Sequence, residues 1–246
     1  MLSKNKIKYI RSLELKKYRK EEQVFIAEGH KLVDDLLPAF DCAFLAARKE
    51  WLDTRREAVE TLARKGCEIQ EVSAEELQKA SLQKNPQDVW GVFRQRPAGE
   101  APEHLLKDQL CLGLDGVQDP GNLGTIFRTA EAAGVTGIIM SRDCVDIYNP
   151  KTIRSTMGAL YRMPFLYVDD LKETIHTLKE QNIKSYAAHL DGKNTYDKED
   201  YRQGTAFLIG NEGNGLRIPM CGQVESLNAA VAATVLMFEV SRQRRG

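Results

Sequence analysis

The stretch from Leu110 to Met140 constrains the fold most. An apolar run, LCLGL (110–114), leads into the loop DGVQDPGNLG (115–124). Leu123, Ile126, Phe127, Ala130 and Ala133 then recur at helical spacing, and Gly134 stands where a C-cap glycine belongs. A second apolar run, Val135 to Met140, follows at once. Strand, loop, helix and strand in this order read as a crossover unit, and crossovers build parallel sheets.

The rest of the C-terminal half continues the alternation. Strands are predicted at Ser185–His189 and Ala206–Ile209, with a helix near 169–181 before them and a last helix over about 227–243. That helix carries a stripe of small residues, Ala229, Ala230, Ala232 and Ala233, suited to close packing in the core or against a second subunit. The segment RPAGEAPE (96–103) holds two prolines, a glycine and no periodicity, and reads as a linker. It predicts domains at 1–98 and 108–246, joined by 99–107. In the first domain, helical patterns at 5–18, 29–37, 50–65 and 74–81 alternate with the short apolar runs Val24–Ile26 and Ala43–Ala46, a small α/β domain.

Composition narrows the class. With 246 residues, 42% of them hydrophobic and 28% charged, the chain is long enough for one large core or two smaller ones and too apolar for wholesale disorder. The longest apolar stretch, Ala229 to Phe238 with Thr234 inside it, covers about half of the ~20 residues a membrane-spanning helix needs, so no membrane role is expected. No apolar segment follows the basic N-terminus, so no secretory leader is expected either. Cys42, Cys67, Cys111, Cys144 and Cys221 are scattered, which suits free thiols in a reducing cytoplasm. Neither they nor His30, His104, His176 and His189 show metal-site spacing, so no metal is expected.

The net charge is zero, but it is unevenly spread. Residues 1–98 hold 19 basic against 16 acidic side chains, and 99–246 the reverse. Lys4, Lys6, Lys8, Arg11, Lys16, Lys17, Arg19 and Lys20 crowd the first 20 residues, where Glu14 is the one acid. Such a stripe is either a solvated helix face or a track for phosphates.

Three clusters hold the candidate chemistry. The 115–124 loop joins a strand's carboxyl end to a helix N-terminus, the place where open α/β sheets bind ligands. It is neither a dinucleotide fingerprint nor a phosphate-binding P-loop, which counts against a nucleotide-dependent enzyme. Arg128 lies farther along that helix, opposite the apolar face, where an exposed ion pair with Glu131 is its ordinary role. The second cluster, Ile209-Gly210-Asn211-Glu212-Gly213-Asn214-Gly215, places three glycines and a carboxylate after an apolar strand. The third is Ile218-Pro219-Met220, followed by Ser226-Leu227-Asn228 opening the last helix. Ser226 is its expected N-cap, and Asn228 is a poor helix former for a first turn.

Taken in order, DGVQDPGNLGTIFRTAEAAG, FLIGNEGNGL and IPMCGQVESLNAAVA resemble the three motifs of the SpoU (TrmH-type) RNA ribose 2′-O-methyltransferases of the SPOUT superfamily. The resemblance covers essentially all of 108–243, including YNPKTIRSTMGALYRMP (148–164). KNKIKYIRSL, FIAEGHKLVDDLL and SLQKNPQDVWGVF in residues 1–95 are similar to that family's N-terminal RNA-binding domain.

The resemblance implies an α/β methyltransferase domain whose parallel sheet is threaded as a deep trefoil knot. It implies S-adenosyl-L-methionine as methyl donor, with Ala188, Gly210, Ile218, Met220 and Leu227 at the cofactor. Arg128 would be the central catalytic residue, with Asn122, Glu212, Ser226 and Asn228 orienting it, the substrate or the loops. It further implies a cytoplasmic homodimer acting on RNA rather than DNA, on ribosomal RNA ahead of transfer RNA. A non-catalytic RNA-binding protein on the same fold is the competing reading, which the joint presence of the five catalytic candidates disfavours. One departure stands out: the family carries a helical stretch of some ten residues between the second and third motifs, and here Arg217 alone separates Leu216 from Ile218. One residue spans at most ~3.6 Å, too little for that crossover, so residues missing at this point are the favoured expectation.

Overall fold

The computed structural model describes residues 2–96, 110–188, 192–210 and 215–245. In chain order the first elements are α1 (Lys4–Ser12), α2 (Lys16–Glu22), β1 (Val24–Glu28), α3 (His30–Leu36) and β2 (Cys42–Ala47). Then come α4 (Lys49–Thr54), α5 (Arg56–Arg64), β3 (Glu68–Glu71), α6 (Ala74–Ala80) and β4 (Val89–Arg94). The C-terminal half begins with β5 (Leu110–Leu114), α7 (Pro120–Ala133), β6 (Gly137–Ser141), α8 (Pro150–Thr156), β7 (Phe165–Val168) and α9 (Leu171–Glu180). It ends with β8 (Lys184–Ala188), β9 (Asn194–Thr195), β10 (Thr205–Ile209), β11 (Gly215–Arg217) and α10 (Ala229–Arg245).

These elements form two units. One is Met1–Pro97 with Tyr148–Tyr161; the other is Ala98–Ile147 with Arg162–Gly246. The stretch 148–161, read from sequence with the second domain, thus packs with the first. The expected linker, 99–107, and His104 lie outside the described residues.

The first unit is built on a four-stranded sheet of order β1-β4-β2-β3, antiparallel except for the β2–β3 pair. Ile10, Leu13, Val24, Ile26, Phe44, Leu77, Trp90 and Val92 share one core cluster. The helix predicted over 5–18 is two helices. Arg19, 1% exposed, sends one guanidinium nitrogen to the carbonyls of Leu13 (2.8 Å) and Glu14 (2.6 Å), and so ends α1 with a buried cation. The helix predicted over 50–65 also breaks, at Arg55, whose guanidinium forks onto both Asp34 oxygens at 2.7 and 2.6 Å. The cysteines are all free, but Cys42 and Cys67 are not scattered: they are hydrogen-bonded neighbours, which with burial pushes the Cys42 thiol up.

The second unit is the expected parallel sheet, with seven strands in the order β7-β6-β5-β10-β8-β11-β9. Every pairing in it is parallel. Leu110–Leu114 and Gly137–Ser141 are buried throughout, as strands covered on both faces must be. α7 starts earlier than its apolar pattern, because Asp119 caps it by accepting from the Asn122 amide at 2.7 Å and Pro120 occupies its first turn. It ends at Gly134 as predicted, with φ 79°. α10 packs against α7. Ala230 and Ala233 of its small-residue stripe are 3% and 0% exposed, buried within the chain's own fold.

Arg217 stands in β11. Leu216 pairs with Ala188 and Arg217 with Thr195 in β11, and Ile218 follows without a break.

Candidate active site

Two loops at the carboxyl end of the parallel sheet are locked together. The Asp115 amide donates to the Ile209 carbonyl at 2.9 Å, just past β5 and β10. Gly210 follows with φ 131°, and a β-carbon there would lie 1.9 Å from the Asp115 carbonyl oxygen. Only glycine fits, on conformation and on space. On the other side of the Asp115 loop, the Gly116 amide donates to Ser141 Oγ at 3.0 Å, and the Val145 amide to the Val117 carbonyl at 2.9 Å.

Beside these loops is a cavity of about 280 Å³. Ala188, Gly210, Ile218, Met220, Ser226 and Leu227 line it, joined by Ile209, Leu216, Ala229 and Ala232. The five residues expected at a cofactor, dispersed over 188–227 in the chain, therefore share one wall system. The last four were missed by sequence reading. Ala229 and Ala232 had a signal, the small-residue stripe, which was assigned to packing; Ile209 and Leu216 looked like ordinary strand residues.

The expected helix cap is corrected. Asn228 is the cap of α10, not Ser226: its Oδ1 accepts from the amides of Ala230 (2.9 Å) and Val231 (3.4 Å). Ser226 lies two residues upstream, exposed at the cavity. The Asn228 side-chain amide is left to donate to Asn122 Oδ1 at 2.9 Å. One asparagine thus closes α10 and bridges to the first turn of α7.

Arg128 is exposed on α7 and does not line the cavity. Its expected pair with Glu131 is not formed, because Arg162 takes that carboxylate at 2.8 Å. Among the described residues Arg128 has no hydrogen-bond or ion-pair partner, so its charge is available to a ligand. Glu212 lies outside the described residues. Among the described residues no three His, Cys, Asp or Glu side chains gather as a metal site, and no helix is long and apolar enough to cross a membrane.

Residues 109–238 match the model of the SpoU rRNA Methylase family, more than half of the chain. The chain belongs to that family. Residues 4–91 match the MRM3-like substrate binding domain. Among curated proteins the chain is 30% identical, over 96% of its own length and 95% of the relative's, to the 23S rRNA (guanosine(2553)-2′-O)-methyltransferase RlmP of Bacillus subtilis. It is 34% identical to the 23S rRNA (guanosine-2′-O-)-methyltransferase RlmB of Bordetella pertussis, over 76% of this chain and 83% of the relative. The AdoMet-bound rRNA methyltransferase of Sinorhizobium meliloti superimposes with a TM-score of 0.87 at 32% identity, covering 98% of this chain and 96% of that one.

Within the SpoU family frame, the N-terminal basic stripe divides by role. Arg19 is structural, and Lys6 is paired with Glu68 at 2.6 Å while lying over the Phe44 ring. Lys4, Lys8, Lys16 and Lys20 stay exposed without a side-chain partner among the described residues, and Lys17 lies over the Tyr18 ring.

Proposed function

We propose that this protein is an S-adenosyl-L-methionine-dependent RNA ribose 2′-O-methyltransferase acting on ribosomal RNA. The observation that carries the reading is the cavity at the sheet's carboxyl end, where residues of the second and third motif segments meet with Ala188 in a chain of the SpoU family. The lining suits the cofactor: it is apolar and small-residued, and Gly210 brings backbone rather than side chain to the wall. Ala188, Gly210, Ile218, Met220 and Leu227 hold the cofactor, which when bound supplies an activated methyl group to the ribose 2′-oxygen.

This chain's residues then have two tasks, to position the hydroxyl and to make loss of its proton cheap. A guanidinium stays protonated at any pH the protein meets, so Arg128 acts as a fixed positive charge. It binds the phosphate next to the reacting ribose and stabilises the oxyanion that forms as the proton leaves. Asn122 and Asn228 fix the first turns of α7 and α10 against each other, while Ser226 and Glu212 orient substrate and loop.

The reading includes assembly and setting. Residues 1–98 hold RNA and 108–246 carry the methyl-transfer chemistry. A strand order in which β11 lies beyond β8 rather than beside β10 supports a chain threaded as a trefoil knot. Val231 and Phe238, 48% and 40% exposed on α10, support a homodimer in which a second copy covers that face. Five free thiols suit the cytoplasm.

Mapping 2′-O-methyl sites on ribosomal RNA from cells with and without this protein tests the function. The expected result is loss of a discrete rRNA methylation. An unchanged rRNA map would contradict the assignment.

A further inference from the structure

The N-terminal unit holds a cavity of its own, of about 240 Å³, that the methyl-transfer chemistry does not use. One wall is a built carboxylate. Glu28, at the end of β1, is 8% exposed. Ser81 Oγ lies 2.6 and 2.8 Å from its two oxygens, and the Gln87 amide donates to Oε1 at 3.2 Å. This ties the 81–87 loop to the strand. A carboxylate has about four acceptor positions, so two donors leave capacity to accept from a ligand.

A second wall is cationic. Lys31 and the half-buried Arg154 both line the cavity. Neither has an ion-pair or hydrogen-bond partner among the described residues, although the carboxylates of Glu28 and Asp35 line the same space. A half-buried guanidinium left unpaired beside available acids is a group kept for an anion. Asp35 repels a phosphate placed next to it, which puts the anion at Arg154 and Lys31. The third wall is apolar. Met157 is 48% exposed and held at φ 49°, a left-handed conformation that non-glycine residues rarely adopt. Its soft, adaptable thioether suits a flat ring.

An acceptor for N–H groups, an apolar face and paired cations together describe a nucleotide whose base edge is free. In RNA such a base is found where the duplex is interrupted, since pairing occupies the Watson–Crick edge and the deep, narrow major groove of A-form RNA shuts side chains out. We propose that this cavity takes one unpaired nucleotide of the RNA substrate, base against Met157 with its N–H edge toward Glu28, phosphate at Arg154 and Lys31. The proposal rests on the RNA-methyltransferase reading and adds to it a site that selects the substrate.

The test is fluorescence anisotropy with the full-length protein and two labelled RNA hairpins, one with a single bulged guanosine in its stem and one fully paired. Arg154→Gln removes the cation; Met157→Asn removes the apolar wall and keeps a residue that tolerates left-handed backbone. Wild type is expected to prefer the bulged hairpin about tenfold, the scale of one base contact. Each variant is expected to lose that preference with unchanged melting temperature and unchanged affinity for S-adenosylmethionine. Equal binding of the two hairpins by wild type would overturn the proposal, as would a preference that survives in both variants. GMP alone binding as tightly as the bulged hairpin would overturn the choice of RNA over a free nucleotide. A wild type that prefers the bulge but binds no S-adenosylmethionine would support the cavity and remove the methyl-transfer reading, so the two failures are distinguishable.

Discussion

Asn228 donates from its side-chain amide to Asn122 Oδ1 at 2.9 Å, while its own Oδ1 caps α10. The bond joins residues 106 apart in sequence and ties the start of α7 to the start of α10, whose Ala229 and Ala232 line the cavity. Asn228→Asp keeps the capping acceptor and loses the donor to Asn122. Its stability should fall by no more than about 1 kcal/mol, because the cap survives. Methyl transfer should fall at least tenfold, because the two helix starts are no longer held in register. Thermal denaturation beside a radiolabelled methyl-transfer assay separates these effects; parallel losses in both would make the bridge purely structural.

Gly210→Ala should abolish cofactor binding. Its β-carbon would lie 1.9 Å from the Asp115 carbonyl oxygen, and its φ of 131° suits only glycine. The Asp115 and Gly210 loops would have to separate, opening the wall that residue 210 forms. Titration calorimetry with S-adenosylmethionine should show no measurable binding, while the N-terminal unit retains its RNA affinity. Wild-type cofactor affinity in this variant would mean that the loop pair does not shape the site.

Arg128→Ala should fold and bind cofactor as wild type does. The side chain is exposed and without a partner among the described residues, so its removal should change stability by no more than about 0.5 kcal/mol. Turnover should drop on the order of a hundredfold or more, the scale of losing one charge aimed at a developing oxyanion. Near-wild-type turnover would remove Arg128 from the chemistry.

The end of α10 should give the protein an acid-sensitive element. The Arg242 guanidinium, at 2.8 and 2.7 Å, and then the Gln243 amide hold the Glu239 carboxyl below its ordinary 4.5. A depressed folded-state value means that this stability is complete above the unfolded value and is lost as pH falls through the folded one. Glu239→Gln should therefore be slightly less stable than wild type at neutral pH, the effect kept small by the exposure of Arg242. The gap should narrow as pH falls below the ordinary 4.5 and vanish once the folded-state carboxyl is protonated. Urea melts at neutral and acid pH check this; a pH-independent gap would refute the ionic origin.

The parallel sheet was legible because β5 and β6 are buried throughout and its main crossover helix carries a clear apolar period ending at Gly134. What escaped is where tertiary contacts override local pattern. Nothing in RSLELKKY announces a helix break; Arg19, reaching back to the carbonyls of Leu13 and Glu14, makes it. That same arginine belongs to the basic stripe, which reads in sequence as a solvated helix face or a track for phosphates, and is a buried cap in the fold. Ser226 and Asn228 are both good helix caps, and only the amides of Ala230 and Val231 show which one acts. β11 has three residues and no alternation, so its pairing with β8 and β9 could be found only in three dimensions. The grouping of Ala188, Gly210, Ile218, Met220 and Leu227 around one cavity was legible through motif order, whereas the cavity at Glu28 and Arg154 joins residues with no shared pattern.

The most direct test of the central claim is the chemical form of the product. Ribosomal RNA incubated with the protein and methyl-tritiated S-adenosylmethionine is hydrolysed in alkali, which cleaves next to every free 2′-hydroxyl. Label recovered in alkali-resistant dinucleotides is the predicted result, since a 2′-O-methyl group blocks cleavage at its own phosphate. Label recovered in mononucleotides, which marks methylation of a base, or no label in RNA at all, would contradict the account.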